Sequence, residues 1–313
     1  MFFLFIAVVG LVSWLEVRWL IHRFRGREDR EFWPAFAEPF SRGLTRILNV
    51  VAVVGLLCVL WGWLVEPRWV SVTEVRLESA KIKPETGRVR IVQLSDFHSE
   101  AAPLNELKAV GIVNSLQPDI VVFTGDYLNT PQGLGISREA FRGLKPRYGT
   151  FLVSGNYDLG MVPEGAFKDA GVVELESGSR EVAIRGSRIR VTGLSILNAP
   201  DFRYAMGLLR AEPAYDVFLF HYTDLVDEAA KAGVDLYLAG HTHGGQVRLP
   251  FYGALVTLSS TGKKFESGLY RLGSMALYVN RGLGLEGGLA PRVRFLCRPE
   301  ITVIDVYPDG VRP

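Results

Sequence analysis

Residues 234–246 read VDLYLAGHTHGGQ. The stretch opens as a short apolar run of strand length and ends in His241 and His243, followed by Gly244 and Gly245. The chain has only five histidines. Imidazole is costly to bury without a partner, so a pair at the end of a buried strand asks for a chemical reason. Residues i and i+2 of a strand face the same side, so the two rings can aim at one cluster.

Working outward, four more runs have the same form: RIVQLSDFHSE (90–100), PDIVVFTGDY (118–127), GTFLVSGNYD (149–158) and YDVFLFHYTD (215–224). Near-continuous apolar runs fit strands covered on both faces. Helical spacing recurs between them, in 103–117, 137–145 and 224–232. Strands alternating with helices predict an α/β domain with a largely parallel sheet, and ligands collect at the C-terminal edge of such sheets. The five runs end in Asp96 and His98, Asp126, Asn156 and Asp158, His221, and His241 and His243. Only His22 among the histidines lies outside this set. Residues 172–196 and 252–307 read as short strands and turns, with GALVTL, GLYRLGSMALYVN and PEITVIDVYP as further strands. They predict a second sheet packed on the first.

The donor set mixes imidazoles, carboxylates and one amide oxygen, with no thiolate. Such sets suit Mn, Fe or Zn rather than a closed structural zinc site. There are too many donors for one ion, so two divalent ions sharing a bridging carboxylate are expected. Paired ions of this kind activate water for in-line displacement at phosphorus. The two cysteines, Cys58 and Cys297, form no zinc or disulfide pattern.

Together SDFH, TGDY, SGNYD, FHYTD and AGHTHGGQ closely resemble, in order, the signature of calcineurin-like metallophosphoesterases. YVNRGLG and CRPEITVIDV further resemble its membrane-associated bacterial branch. The resemblance covers about Arg90 to Val306 and implies a two-sheet β-sandwich flanked by helices. It also implies ligand roles: Asp96, His98 and His243 for one ion, Asn156, His221 and His241 for the other, and Asp126 for both. One position departs from the pattern. Tyr157 stands where the family has a histidine facing the phosphate, with Asp158 as the orienting aspartate. Tyrosine titrates near 10 and is a poor acid at neutral pH, though its hydroxyl still donates a hydrogen bond. A pyrophosphate leaving group needs less protonation than an alkoxide, so a phosphodiester or pyrophosphate substrate is expected. The alternatives are a UDP-2,3-diacylglucosamine pyrophosphatase of lipid A synthesis, and a degenerate metal-binding or sensor protein.

Around the site, Gly244 and Gly245 read as a tight turn that also lets backbone approach a substrate. Gln246 is a candidate neighbour of the phosphate. Lys263, Lys264 and Arg281 read as solvated surface, and Cys297 as core.

The N-terminus differs from all of this. Residues 47–65, ILNVVAVVGLLCVLWGWLV, carry one polar side chain, Asn49, and no charge. A bilayer span needs roughly 20 such residues. Residues 2–21 start apolar but include Glu16 and Arg18, and read as a second span or an interfacial helix. Residues 1–66 are thus expected to be a membrane region and 67–313 the catalytic domain. Arg23, Arg25, Arg27, Arg30, Arg42 and Arg46 lie between the two apolar stretches. Positive-inside bias then puts the catalytic domain on the outer side of a bacterial cytoplasmic membrane, with an amphiphilic, lipid-linked substrate. A net charge of +2 gives no bulk attraction to nucleic acid, and no nucleic-acid partner is expected.

Overall fold

The structure, a computed structural model, describes residues 10, 14, 42–199, 202–207, 213–287 and 292–310. The chain divides into two compact units, Met1–Leu64 and Val65–Pro313.

In the first unit, α1 (Arg42–Leu60) is an α-helix of 19 residues that passes into a π-helical turn, Trp61–Val65. Ile47, Val50, Val51, Leu56 and Leu57 are exposed on it. The segment Asn49–Arg68 is long and apolar enough to cross a membrane, by length and composition. The apolar stretch 2–21 falls outside the described residues, apart from Gly10 and Trp14.

The second unit holds two six-stranded sheets. The first is built from β1 (Ser71–Glu78), β2 (Val89–Leu94), β3 (Ile120–Phe123), β4 (Thr150–Leu152), β5 (Val172–Glu174) and, from the far end of the chain, β14 (Glu300–Tyr307). Its order is β1-β14-β2-β3-β4-β5, and β2 to β5 run parallel. The second is built from β6 (Ser177–Ile184), β7 (Ser187–Leu194), β8 (Tyr215–Leu219), β9 (Leu236–Ala239), β12 (Gly268–Leu272) and β13 (Met275–Val279). Its order is β12-β13-β9-β8-β7-β6, with β7, β8, β9 and β13 parallel. β10 (Arg248–Leu249) and β11 (Gly253–Ala254) form a small antiparallel pair.

Strand periodicity sorts the side chains into three cores. Alternate residues of both sheets, Ile91, Ile120, Val122, Val217, Leu219, Leu236 and Leu238 among them, meet between the sheets. The interleaved residues face outward. Val92, Val121 and Phe123 pack beneath α2 (Glu106–Ser115) and α3 (Leu134–Gly143) through Ala109, Val113, Ala140 and Phe141. Phe218, Phe220, Tyr237 and Ala239 pack beneath α4 (Phe202–Gly207) and α5 (Val226–Ala232) through Ala205, Met206, Val226 and Ala229. Both faces of these strands are therefore dry, which is why their sequences read as continuous apolar runs.

Three expectations need correction. The five donor-bearing strands do not share one sheet: β2, β3 and β4 lie in the first and β8 and β9 in the second. PEITVIDVYP does not join the second sheet either. It forms β14, which inserts between β1 and β2 of the first, parallel to β1 and antiparallel to β2. GALVTL is strand only at Gly253–Ala254. Beyond it, Val256 and Leu258 are exposed and have no sheet to cover them.

Candidate metal centre

The C-terminal ends of the two sheets meet at one edge, and the donor residues sit on the loops that leave them. Asp96 and His98 follow β2, Asp126 follows β3, Asn156 follows β4, His221 follows β8, and His241 and His243 follow β9. Regular strand geometry ends abruptly there. Asp96, His98, Asp126, His241 and His243 all hold positive φ, between 46° and 68°. Non-glycine residues are uncommon in this region and cluster at functional sites. Glycines make the bends possible. A Cβ on Gly240 would collide with the Asp96 carboxylate and the Ser95 hydroxyl. Gly244 and Gly245, at φ 59° and 80°, form the tight turn after His243.

Two triads result, each with one donor atom per residue within 4.8 Å of the others: Asp96, His98 and His243, and Asp126, His221 and His241. In the first, His98 Nε2 and His243 Nε2 are 3.0 Å apart, and His243 Nε2 is 3.4 Å from Asp96 Oδ1. Asp126 Oδ2 joins the two groups, 3.5 Å from His98 Nε2 and 3.2 Å from His221 Nε2. His221 Nδ1 lies 2.6 Å from the Thr124 carbonyl. Donation of Nδ1–H to that carbonyl leaves the Nε2 lone pair free for a cation, the usual arrangement of a metal-bound histidine.

A divalent cation fits this chemistry. Asn156 Oδ1 and His221 Nε2 are buried without a hydrogen-bond partner, and buried polar atoms are rarely left so. Without ions the site is electrostatically unsettled. Burial pushes the Asp96 carboxyl up to about 7 and the His98 and His241 imidazoles down to about 4. Burial also drives His243 well below its usual value. For Asp126 burial acts upward, but the neighbouring imidazoles of His221 and His98 and the Tyr157 amide outweigh it and hold the carboxyl at about 2. A cation at each triad favours deprotonated carboxylates and neutral imidazoles together.

Asp158 accepts the amides of Asp126, Tyr127 and Gly155 at 2.7–2.8 Å. Its carboxylate thus ties the loop after β3 to the loop after β4. The Tyr157 amide donates to Asp126 Oδ1 at 2.8 Å, and its ring stands edge-on to His98 with centroids 4.7 Å apart. The Tyr157 hydroxyl donates to Glu286 Oε1, 3.2 Å away.

Glu286 was not evident from sequence, because it lies in a glycine-rich loop with no donor beside it in the chain. Its Oε2 is 3.9 Å from His243 Nε2. Gln246 holds it by both backbone groups: Nε2 donates to the Glu286 carbonyl at 2.7 Å, and Oε1 accepts its amide at 3.1 Å. Gln246 is therefore engaged with Glu286 rather than free for a phosphate. Arg294 is the second residue missed. It is fully buried, with Nη2 3.3 Å from His243 Nδ1, and it donates to the carbonyls of Arg281, Gly282, Gly284 and Cys297. Arg281 is not solvated surface: its guanidinium bonds buried Glu300 at 2.9 Å. Cys297 is core, fully buried with a free thiol.

The calcineurin-like phosphoesterase family matches residues 89–245. An uncharacterized metallophosphoesterase of Bacillus subtilis, YkuE, is 34% identical over 250 residues, covering 76% of this chain and 86% of that protein. The phosphodiesterase YaeI of Escherichia coli is 28% identical over 256 residues, 77% of this chain and 90% of the relative. The UDP-2,3-diacylglucosamine pyrophosphatase LpxG of Chlamydia trachomatis is 26% identical over 327 residues, 84% of this chain and 97% of the relative. The sandwich and its two triads define a hydrolase that works with divalent metals. More particularly, the chain belongs to the calcineurin-like phosphoesterases and is a metal-dependent phosphoesterase.

Proposed function

We propose that the chain is a membrane-anchored phosphohydrolase that cleaves a phosphodiester or pyrophosphate bond, with a lipid-linked substrate. Asp96, His98 and His243 hold one divalent ion, and Asn156, His221 and His241 the other. Asp126 is shared between them. When bound, such ions supply water activated at neutral pH and offset the charge that grows on the phosphoryl oxygens. Mn, Fe and Zn all suit the donors.

The observation that carries this reading is the position of Asp126 Oδ2 between His98 and His221, beside the unpartnered Asn156 Oδ1 and His221 Nε2. The chain's own residues do the orienting. Asp158 fixes the loops that present Asp126 and Asn156. Tyr157 holds its one O–H on Glu286, and turning that proton from the carboxylate lets it donate to a phosphoryl or leaving oxygen. With a hydroxyl rather than an imidazole there, substrates whose leaving group is a weak base are favoured. Membrane anchoring is supported by the apolar segment Asn49–Arg68. The arginines between residues 22 and 46 favour an outer catalytic domain.

The test is to purify the full chain in detergent, strip it of metal, restore Mn²⁺ and compare aryl monoester, aryl diester and nucleotide-diphosphate substrates. Turnover of the diester or diphosphate well above the monoester is expected; a monoesterase profile overturns the reading. The second reading, hydrolysis of UDP-2,3-diacylglucosamine, is favoured by the chlamydial relative. It needs a cytoplasmic domain, so a reporter fused after Pro313 that reads out as external excludes it.

A further inference from the structure

The loop from Leu249 to Leu258 leaves the metal centre and returns to it. It begins three residues after Gln246, and at its end the backbone of Leu258 faces the His241 ring. Between these points the chain exposes Leu249, Phe251, Tyr252, Val256 and Leu258. Phe251 has no cover at all, and Leu258 is 70% exposed. Leu296, half exposed, stands beside them. Leu249, Phe251, Tyr252 and Leu296 rim an open concavity of about 650 Å³ that also takes in Arg248, Lys263 and Lys264. Glu266 is the single carboxylate in its lining. It pairs with Arg248 and Lys263, each at 3.2 Å, so three cations against one anion leave the rim with a net positive charge, carried outward by Lys264. Lys263 Nζ lies 3.6 Å over the Tyr252 ring.

Scattered exposed apolar residues need no explanation, but a cluster of this size marks a contact surface. The chemistry of this one selects its partner. Uncovered aromatic and aliphatic tips interleaved with lysines are what an interfacial segment presents to a bilayer: the tips enter the acyl boundary and the cations meet anionic headgroups. Lys263 is held by the carbonyls of Tyr252 and Ala254, both at 2.8 Å, and Lys264 is the lysine whose stem can lie along apolar surface while its charge reaches out. A protein-binding core, by contrast, is depleted of lysine. The chain also carries its own apolar helix directly before this unit.

We propose that residues 249–258, with Leu296, Arg248, Lys263 and Lys264, dock on the surface of an anionic bilayer and hold the mouth of the metal centre against it. The enzyme then takes its phosphoester from the headgroup layer. This rests on the membrane phosphohydrolase reading and adds a second membrane contact to the apolar helix.

The experiment places an environment-sensitive fluorophore at Phe251→Cys in the full chain, in a Cys58→Ala background. Buried Cys297 is left in place. The protein is reconstituted in vesicles of phosphatidylcholine with and without phosphatidylglycerol. Docking predicts a blue-shifted emission, quenched by lipids spin-labelled near the headgroup and strengthened by phosphatidylglycerol. An emission equal to that of the same label at exposed Ser260→Cys overturns the proposal. So does shielding that rises with protein density but is untouched by lipid quenchers, which marks contact between copies. A second arm uses Phe251→Ser and Val256→Ser. Both should lower hydrolysis of vesicle-borne phosphatidyl-p-nitrophenol about tenfold, as loss of apolar tips weakens interfacial binding, and leave soluble bis(p-nitrophenyl) phosphate unaffected. Equal loss on both substrates overturns docking. Failure of the wild type on the soluble diester sinks the phosphohydrolase reading instead, while the fluorescence still decides on docking.

Discussion

The Tyr157 hydroxyl donates to Glu286 Oε1 at 3.2 Å, and the other oxygen of that carboxylate lies 3.9 Å from His243. The tyrosine is therefore not a loose surface group. It is aimed across the mouth of the site by a carboxylate that Gln246 fixes in turn. If the hydroxyl serves only weakly basic leaving groups, Tyr157→His should raise turnover of alkyl diesters by about tenfold or more, within the usual range of general acid catalysis. It should leave turnover of a nucleotide diphosphate unchanged. Steady-state kinetics on the two substrates check this, and equal gains on both count against it.

Metal removal should destabilise the fold as well as silence it. His98 Nε2 and His243 Nε2 face each other at 3.0 Å, and His221 Nε2 has no hydrogen-bond partner. Each is relieved by a cation that binds the folded chain and not the unfolded one. At a free Mn²⁺ concentration of a thousand times Kd, linkage gives about 4 kcal/mol per site. A chelator should lower the melting temperature by several degrees, and Mn²⁺ should restore it. An unchanged melting temperature would mean that the triads hold no ion.

Arg294 is a buried cation with no carboxylate within ion-pair reach among the described residues. Its charge is met by carbonyls of Arg281, Gly282, Gly284 and Cys297, and its Nη2 packs 3.3 Å from His243 Nδ1. Arg294→Met leaves those carbonyls unpaired and should cost about 3 kcal/mol. It should also free the His243 ring, so metal content falls from two ions per chain toward one. Elemental analysis and chemical denaturation check the two effects separately. Retention of both ions would make Arg294 a fold residue alone.

A second buried charge acts far from the site. Asp119 accepts Arg185 Nη1 and Nη2 at 2.8 and 3.0 Å and the Arg90 amide at 2.9 Å, so it clamps the β6–β7 turn to the start of β3. Burial pushes its carboxyl up, but Arg185 and the amide outweigh that and hold it below the usual range. A depressed carboxyl stabilises the folded state above the unfolded pKa, and that stability is lost as pH falls through the folded value. Asp119→Asn should therefore cost about 2 kcal/mol at pH 7, and the difference from wild type should shrink below about pH 4. Activity on a soluble diester should be unaffected. Denaturation at pH 7 and pH 3 measures it.

Sequence alone determined the chemistry of this protein. Five apolar runs, each ending in Asp, Asn or His, made a shared strand edge and a two-ion donor set legible, because strand periodicity and donor type are local properties. Tertiary structure decided what comes from distance in the chain. β14 enters the first sheet between β1 and β2, and the donor strands divide between two sheets. Strand pairing is settled by which faces must be covered, and an apolar run reads alike in either sheet. Glu286 and Arg294 meet His243 across 43 and 51 residues, through loops whose composition announces nothing. A single side chain gains its partner only when the sheets bring two loops together, so no pattern of spacing could have revealed either one.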